Sequence, residues 1–185
     1  MADAYPNNSK LSTMIVQIER ITRSIGTTTA WLLILMVLIE SLIVLMRYGF
    51  DLGSIALQES VTYMHATVFL LGAAYTLQDD EHVRVDIFYR DFTTLKKAWI
   101  NLCGSTLMLL PLCIFIVWSS VAYVEQAWSI KETSGDAGGI PAVYLLKTLI
   151  PCFAILLLLQ GIAEILKSLA IIFSKPVSAN NHTAT

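Results

Sequence analysis

The chain has 185 residues, of which 56% are hydrophobic and only 14% are charged, and its mean hydropathy is +0.66. A soluble domain of this length must cover its surface with polar groups, so this composition excludes an ordinary water-soluble globule. The formal net charge of −2 provides no basic field for a phosphate backbone, which excludes nucleic acid as an expected partner.

The first segment is polar and then becomes amphipathic. Residues 1–9 are predicted to be a flexible N-terminus without a secretory signal. Apolar residues then recur at helical spacing, which predicts an amphipathic helix over 10–24 lying in the membrane interface. A helix packed on the protein's own loops fits the same pattern, because periodicity does not identify the apolar partner. The residues that carry the pattern are Leu11, Met14, Ile15, Ile18 and Ile25.

Four apolar segments follow, within a transmembrane domain at 25–173. About 20 residues cross the hydrocarbon core as a helix, so the chain is predicted to be an all-α integral membrane protein with four spans. The second span is the most polar, and Pro111 should bend the third near Leu107. The fourth continues as an amphipathic tail to Phe173, before a flexible C-terminal tail at 174–185. The predicted spans are 26–48, 55–77, 97–128 and 142–164.

The distribution of positive charge predicts the orientation. Nine of the 12 Lys and Arg residues fall in the N-terminal segment, the connection between the second and third spans, and the C-terminal tail. Only Arg47, Lys131 and Lys147 fall on the other side. Both termini should therefore be cytoplasmic. The two outer loops are short, and the second, with its Gly-Asp-Ala-Gly-Gly-Ile-Pro stretch, is predicted to be a turn and not a phosphate-binding loop.

Several polar residues lie within or beside the spans. Glu40 is an ionisable group at membrane depth, which makes it a candidate for ion or proton coupling or for a structural pairing. Arg47 lies two turns further along the same helical face. Glu59 and Tyr63 are four residues apart near the start of the second span, so they share a face that should contact protein.

The connection at 78–92 alternates polar and apolar residues, which predicts an extended segment at the membrane surface. Its polar side includes His82, Arg84 and Asp86. Their spacing is unlike that of known zinc or iron motifs, so no metal is expected. A lone His65 gives little support to haem, and the three cysteines fall in apolar runs typical of small buried hydrophobes. No nucleophile and base pair stands out, so neither enzymatic activity nor a cofactor is expected.

Four short motifs occur in a characteristic order. Arg47-Tyr48-Gly49-Phe50 closes the first span, Glu59 opens the second, Leu71-Gly72-Ala73-Ala74-Tyr75 closes it, and His82-Val83-Arg84-Val85-Asp86 follows. From about Arg20 to Leu166, this progression resembles the small membrane subunit (DctQ-type) of tripartite ATP-independent periplasmic (TRAP) transporters.

The resemblance implies a multi-pass protein of the bacterial inner membrane, surrounded by lipid, that braces a large membrane subunit carrying the sodium and substrate sites. It also implies a periplasmic solute-binding protein that delivers the solute, usually an organic acid, for sodium-coupled uptake. On this reading the polar residues serve subunit assembly or a structural polar network. They are Glu40, Arg47, Glu59, Tyr63, His82, Arg84 and Asp86.

Two other functions remain open from the residues alone. An independent small transporter could work as a dimer with Glu40 as its proton-coupling carboxylate. A membrane enzyme is the third reading, and a thiol oxidoreductase in particular would need paired cysteines near the outer face, which the sequence does not obviously supply.

Overall fold

A computed structural model describes residues 9–79 and 92–173, and all regular structure within these ranges is helical. The all-α class is therefore confirmed for the described residues. The helices are α1 (Ser9–Gly49), α2 (Ile55–Gln78), α3 (Thr94–Gly104), a π-helical segment (Ser105–Leu109), α4 (Leu110–Ser129) and α5 (Val143–Phe173).

Three stretches of the described residues are long and apolar enough to cross a membrane: Leu11–Gly49, Thr94–Ser129 and Val143–Phe173. The second predicted span, at 55–77, corresponds to α2, which is not among them. At 24 residues α2 is long enough to cross, but the polar residues at its beginning lower its hydropathy. Its crossing of the membrane stays a prediction.

The predicted boundary between an interfacial helix at 10–24 and a first span at 26–48 has no counterpart in the backbone. Helix α1 runs unbroken through both segments. Thr27 and Thr29 keep their hydroxyls bonded within the helix, to the carbonyls of Arg23 and Ile25 at 2.8 and 2.9 Å. Gly26 lies at the predicted break, but it allows α2 to approach closely and does not end the helix. The location of residues 10–24 in the membrane interface stays a prediction.

The irregularity expected near Leu107 is a π-helical turn. The Leu110 N–H donates to the Ser105 carbonyl, five residues back, instead of the usual four. Pro111 follows directly, and its ring would clash with the Leu107 carbonyl in a regular α-helix. The wider turn relieves this clash, so α3 and α4 form one interrupted stretch.

The helices pack antiparallel in pairs, α1 against α2 and α4 against α5, and α2 joins the pairs by packing against α5. The core lies where α2, α4 and α5 meet, around Ala74, Cys113 and Leu157. Glu19, Asp79 and Lys167 lie at one end, here called the terminal end. The connections at 50–54 and 130–142 lie at the opposite end, here called the loop end. Among the described residues, the ends of α1, α2 and α5 nearest the termini and the middle connection lie on one side of the bundle. Their orientation in the membrane stays a prediction.

The three cysteines differ in exposure. Cys113 is buried as expected, but Cys103 and Cys152 are exposed, because an apolar run in a membrane helix can face lipid as well as protein. The expectation that all three cysteines are buried was therefore wrong.

Some predictions concern residues outside the described ranges, which leave out 1–8, 80–91 and 174–185. These predictions are the two flexible tails, apart from Ser9, and the connection that contains His82, Arg84 and Asp86.

Candidate functional site

The predicted polar residues of the first two helices all lie toward the loop end, but they face two different directions. Glu59 contacts the connection between α4 and α5, residues 130–142, here called the outer loop, and Tyr63 lies near Glu59. Glu40 and Arg47 line a groove between α1 and α2 on another side. The sequence did not reveal that these residues lie in two separate places, and their role in subunit assembly or a polar network stays a prediction.

Glu59 holds the outer loop against α2. One carboxylate oxygen accepts a hydrogen bond from the Ser134 hydroxyl, and the other accepts one from the Ile140 backbone N–H at 2.5 Å. Hydrogen bonds to an ionised carboxylate are stronger than those between neutral groups. The predicted contact between the Glu59 face and protein is present, and the partner is a loop 75 residues further along the chain.

The outer loop folds as the turn that its glycines predict. The Ser134 N–H donates to the Ile140 carbonyl at 3.3 Å, and the Gly139 N–H donates to the Asp136 carbonyl at 3.0 Å. A Cβ atom at Gly139 would lie 2.6 Å from the Ser134 Cβ and 2.7 Å from a carboxylate oxygen of Glu59, so a larger residue would displace the Ser134–Glu59 contact. The loop is thus shaped around the Glu59 carboxylate.

A second set of contacts closes the base of the outer loop. The Lys147 ammonium pairs with Glu132 at 2.5 Å and lies 4.0 Å from the Tyr123 ring centroid. The Trp128 indole N–H donates to the Thr148 hydroxyl at 2.9 Å. Lys131 lies 4.4 Å from the Trp128 ring centroid, within cation–π range. These contacts tie the end of α4 to the start of α5.

Replacing Glu59 with Ala should expose the outer loop to protease. The Ile140 N–H and the Ser134 hydroxyl both lose their carboxylate partner, and loop opening becomes more frequent. We expect trypsin cleavage after Lys131 in the detergent-purified protein to increase about tenfold, because proteolysis follows the open population when reclosing is fast. The measurement is the rate at which the cleaved fragment appears.

Ser60 provides the matched control for this experiment. It is adjacent to Glu59 on α2, and its hydroxyl donates to the Leu57 carbonyl of its own helix at 2.6 Å. Ser60→Ala should leave the cleavage rate unchanged, and Glu59→Gln should give an intermediate rate because one amide oxygen replaces two carboxylate oxygens. Equal rates for Glu59→Ala and Ser60→Ala would contradict the assignment of Glu59 as the anchor of the loop.

Tyr63 lies one turn along α2 from Glu59, on the same face. Its hydroxyl is buried and has no hydrogen-bond partner among the described residues. A buried hydroxyl without a hydrogen-bond partner destabilises the fold, so a partner for the Tyr63 hydroxyl would stabilise it. The predicted pair thus contains one residue that anchors a loop and one whose hydroxyl the described part of the chain does not satisfy.

Glu40 and Arg47 line the same groove of about 430 Å³, which confirms that they share a face of α1. Gln58 and Thr62 of α2 line its other side. Both charged side chains are exposed, and among the described residues neither forms an ion pair. The groove therefore presents the Glu40 carboxyl group and the Arg47 guanidinium, about two helical turns apart, to the surroundings of the bundle.

A charged cluster at the terminal end was not predicted. The Lys167 ammonium of α5 pairs with Glu19 of α1, and also with Glu164 at 2.8 Å. The buried Gln160 donates to the same Glu164 carboxylate at 3.2 Å. Nearby, Arg23 of α1 pairs with Asp79 at the end of α2 at 3.2 Å. These pairs hold the terminal ends of α1, α2 and α5 together.

Part of this cluster had a sequence signal. Gln160, Glu164 and Lys167 follow one another at helical spacing, four and then three residues apart, and so share one face of α5. A polar face within an apolar helix indicates contact with protein. The partner Glu19 could not be identified in this way, because nothing in the local sequence links it to α5.

Comparison with known proteins gives one match. The family model described as "Tripartite ATP-independent periplasmic transporters, DctQ component" matches residues 19–170. Neither the curated proteins nor the solved structures contain a significant match. The matched range includes both loop-end sites and the charged cluster at the terminal end.

Proposed function

The chain belongs to the DctQ family of tripartite ATP-independent periplasmic transporter components, and from this premise we propose that it is the small scaffold subunit that supports a large permease subunit in the bacterial inner membrane. The family match over residues 19–170 is the observation that carries the proposal. The chain is then a component of a transporter and not an enzyme.

The geometry supports a bracing role. The loop end is fixed by the Glu59 carboxylate and the Lys147–Glu132 pair, and the terminal end by the Lys167 cluster. Charged contacts at both ends of the bundle resist relative movement of its helices. A subunit fixed in this way suits a support for a moving partner better than it suits a moving carrier.

In this proposal α2 also crosses the membrane, which brings the number of spans to four, and both termini are cytoplasmic. The polar beginning of α2 can lie at the membrane because hydrogen bonds from the outer loop to the Glu59 carboxylate lower the cost of taking it out of water. The terminal end then faces the cytoplasm, and the outer loop faces the periplasm, where a solute-binding protein docks. The large subunit carries the sodium and solute sites, and the solute is an organic acid.

Co-purification and transport test this function. A tagged form of the chain should recover the large membrane subunit encoded in the same genome, and sodium-driven uptake into liposomes should require both membrane subunits and the solute-bound binding protein. Omitting this chain should abolish uptake. Omitting sodium should do the same while leaving the complex intact.

The same liposomes distinguish the independent transporter. If the chain alone carried solute with protons, and Glu40→Gln abolished that flux, the scaffold assignment would be wrong. Failure to recover any large subunit under conditions in which both proteins are inserted in the membrane would also contradict it.

A further inference from the structure

The groove that contains Glu40 and Arg47 continues along much of α1. Three depressions follow one another on this helix, with volumes of about 510, 290 and 430 Å³. The first and the last lie against α2, and the middle one is lined by α1 residues alone. Six of the α1 residues that line them recur at alternating spacings of three and four, the pattern of a helix seam that receives another helix. They are Ala30, Leu33, Val37, Glu40, Val44 and Arg47. We call this surface the α1–α2 groove.

The α2 side of the groove has two different halves. Gln58 and Thr62 lie opposite the charged residues of α1, whereas Phe69, Gly72 and Ala73 line the half toward the terminal end. Small residues such as Gly72 let a further helix approach closely. The side chain of Phe69 is 72% exposed, so a large aromatic ring also stands uncovered beside this half.

Lipid does not complete the charged half of the groove. Glu40 lies three residues beyond the midpoint of the predicted span at 26–48, and a carboxylate there is expensive in hydrocarbon. The described residues provide no ion-pair partner for Glu40 or for Arg47. The occupant must therefore supply a hydrogen-bond donor or a cation beside Glu40, and an acceptor or an anion beside Arg47.

We infer that the α1–α2 groove is the seat of one transmembrane helix of the large subunit, which places a basic or amide side chain against Glu40 and a carboxylate or amide side chain against Arg47. This inference rests on the proposed function and specifies the surface used for assembly. The apolar residues Val37 and Val44 are 61% and 48% exposed and become packing contacts. Val44 lies between the two charged positions, and Val37 lies one turn before Glu40.

A second copy of this chain fits the groove poorly. A two-fold dimer in a membrane has its axis along the membrane normal, so equivalent residues lie at the same depth. Glu40 would then face the Glu40 of the other copy, and Arg47 would face its equivalent. Like charges in such positions repel, whereas a different protein can place opposite charges at both depths.

The exposed face of α4 lacks this charge requirement. Leu112, Phe115 and Trp118 are exposed there, and an apolar surface of this kind is satisfied by lipid. This face supplies the control position for a crosslinking experiment. Phe115 is as exposed as the groove residues, at 60%, but belongs to another side of the bundle.

The first experiment is crosslinking in the assembled complex. A photoreactive amino acid at Val37 or Val44 should give an adduct with the large subunit that maps to one membrane helix. The same amino acid at Phe115 should not react with that helix. An adduct between two copies of this chain would overturn the inference, and so would adducts from Phe115 to the same helix as from Val44.

Charge reversal is the second experiment. Glu40→Lys should reduce recovery of the large subunit about tenfold or more, because it places like charges together at the contact. An opposite change at the large-subunit position found by crosslinking should restore recovery. The elution volume and helical content of each purified variant show whether the chain is folded, and Glu40→Gln serves as the milder change.

The outcomes separate the two levels of the proposal. If the native complex forms but Glu40→Lys and Arg47→Glu leave recovery unchanged, the groove assignment fails and the scaffold function stands. If the native chain recovers no large subunit, both fail together.

Discussion

Replacing Lys167 with Ala should lower the free energy of unfolding by about 2 to 4 kcal/mol. The Lys167 ammonium lies between the carboxylates of Glu19 and Glu164. Without it, two carboxylates at the terminal end lose their cation and face each other. The side chains are only 18–26% exposed, so the cost should fall between that of a surface pair and that of a fully buried one.

Denaturant unfolding in detergent micelles, followed by circular dichroism, measures this loss. Lys167→Arg keeps the positive charge and should retain most of the stability. Lys96→Ala removes an exposed lysine of α3 and should have little effect. Equal free energies of unfolding for Lys167→Ala and Lys96→Ala would show that the charged cluster does not stabilise the fold.

A double substitution isolates the interaction between α1 and α5. Glu19→Gln combined with Lys167→Ala should cost less than the sum of the two single changes, because the first already removes one of the two carboxylates. Full additivity would indicate that the two residues do not interact in the folded protein.

The sequence predicted this fold mainly through hydropathy and helical periodicity. These signals identify apolar helices because a membrane requires long apolar segments with internally bonded backbones. They do not show whether two neighbouring segments form one helix. One helix, α1, runs through the predicted boundary between residues 24 and 25, and Gly26 beside that boundary lies where Tyr75 of α2 approaches.

The partners of polar residues were less predictable than the residues themselves. Glu59 was expected to contact protein, since it shares a face with Tyr63 at the polar beginning of the second span. Its partners, Ser134 and Ile140, come from a loop that only the tertiary fold brings near. Lys167 shows the same division, because Glu164 lies within its own helix and Glu19 does not.

Glu40 shows a third limit. Its position two turns from Arg47 on one face was evident from the spacing, and the groove confirms it. Whether that face points to protein or outward depends on how α2 packs on α1, which no local pattern specifies. The outward direction of the groove, and with it the inferred partner, therefore required the structure.

Gly26→Ala should destabilise the protein by about 1 to 3 kcal/mol, although glycine to alanine in a helix interior usually stabilises it. A Cβ atom at Gly26 would lie 2.6 Å from both Cβ and Cγ of Tyr75. These atoms are close to the α2 backbone and cannot move aside as the end of a flexible side chain can. The two helices would have to separate at this contact.

Gly72→Ala is the matched control for this change, because Gly72 is also a helical glycine on the α1–α2 side of the bundle, and a Cβ atom there would meet nothing within 4 Å. In the isolated subunit it should stabilise the protein by up to about 1 kcal/mol. The opposite signs are the test, since general helix propensity would move both variants in the same direction. Two increases in the unfolding free energy, measured in the same micelles, would mean that Tyr75 can yield and that the contact does not fix the spacing of α1 and α2.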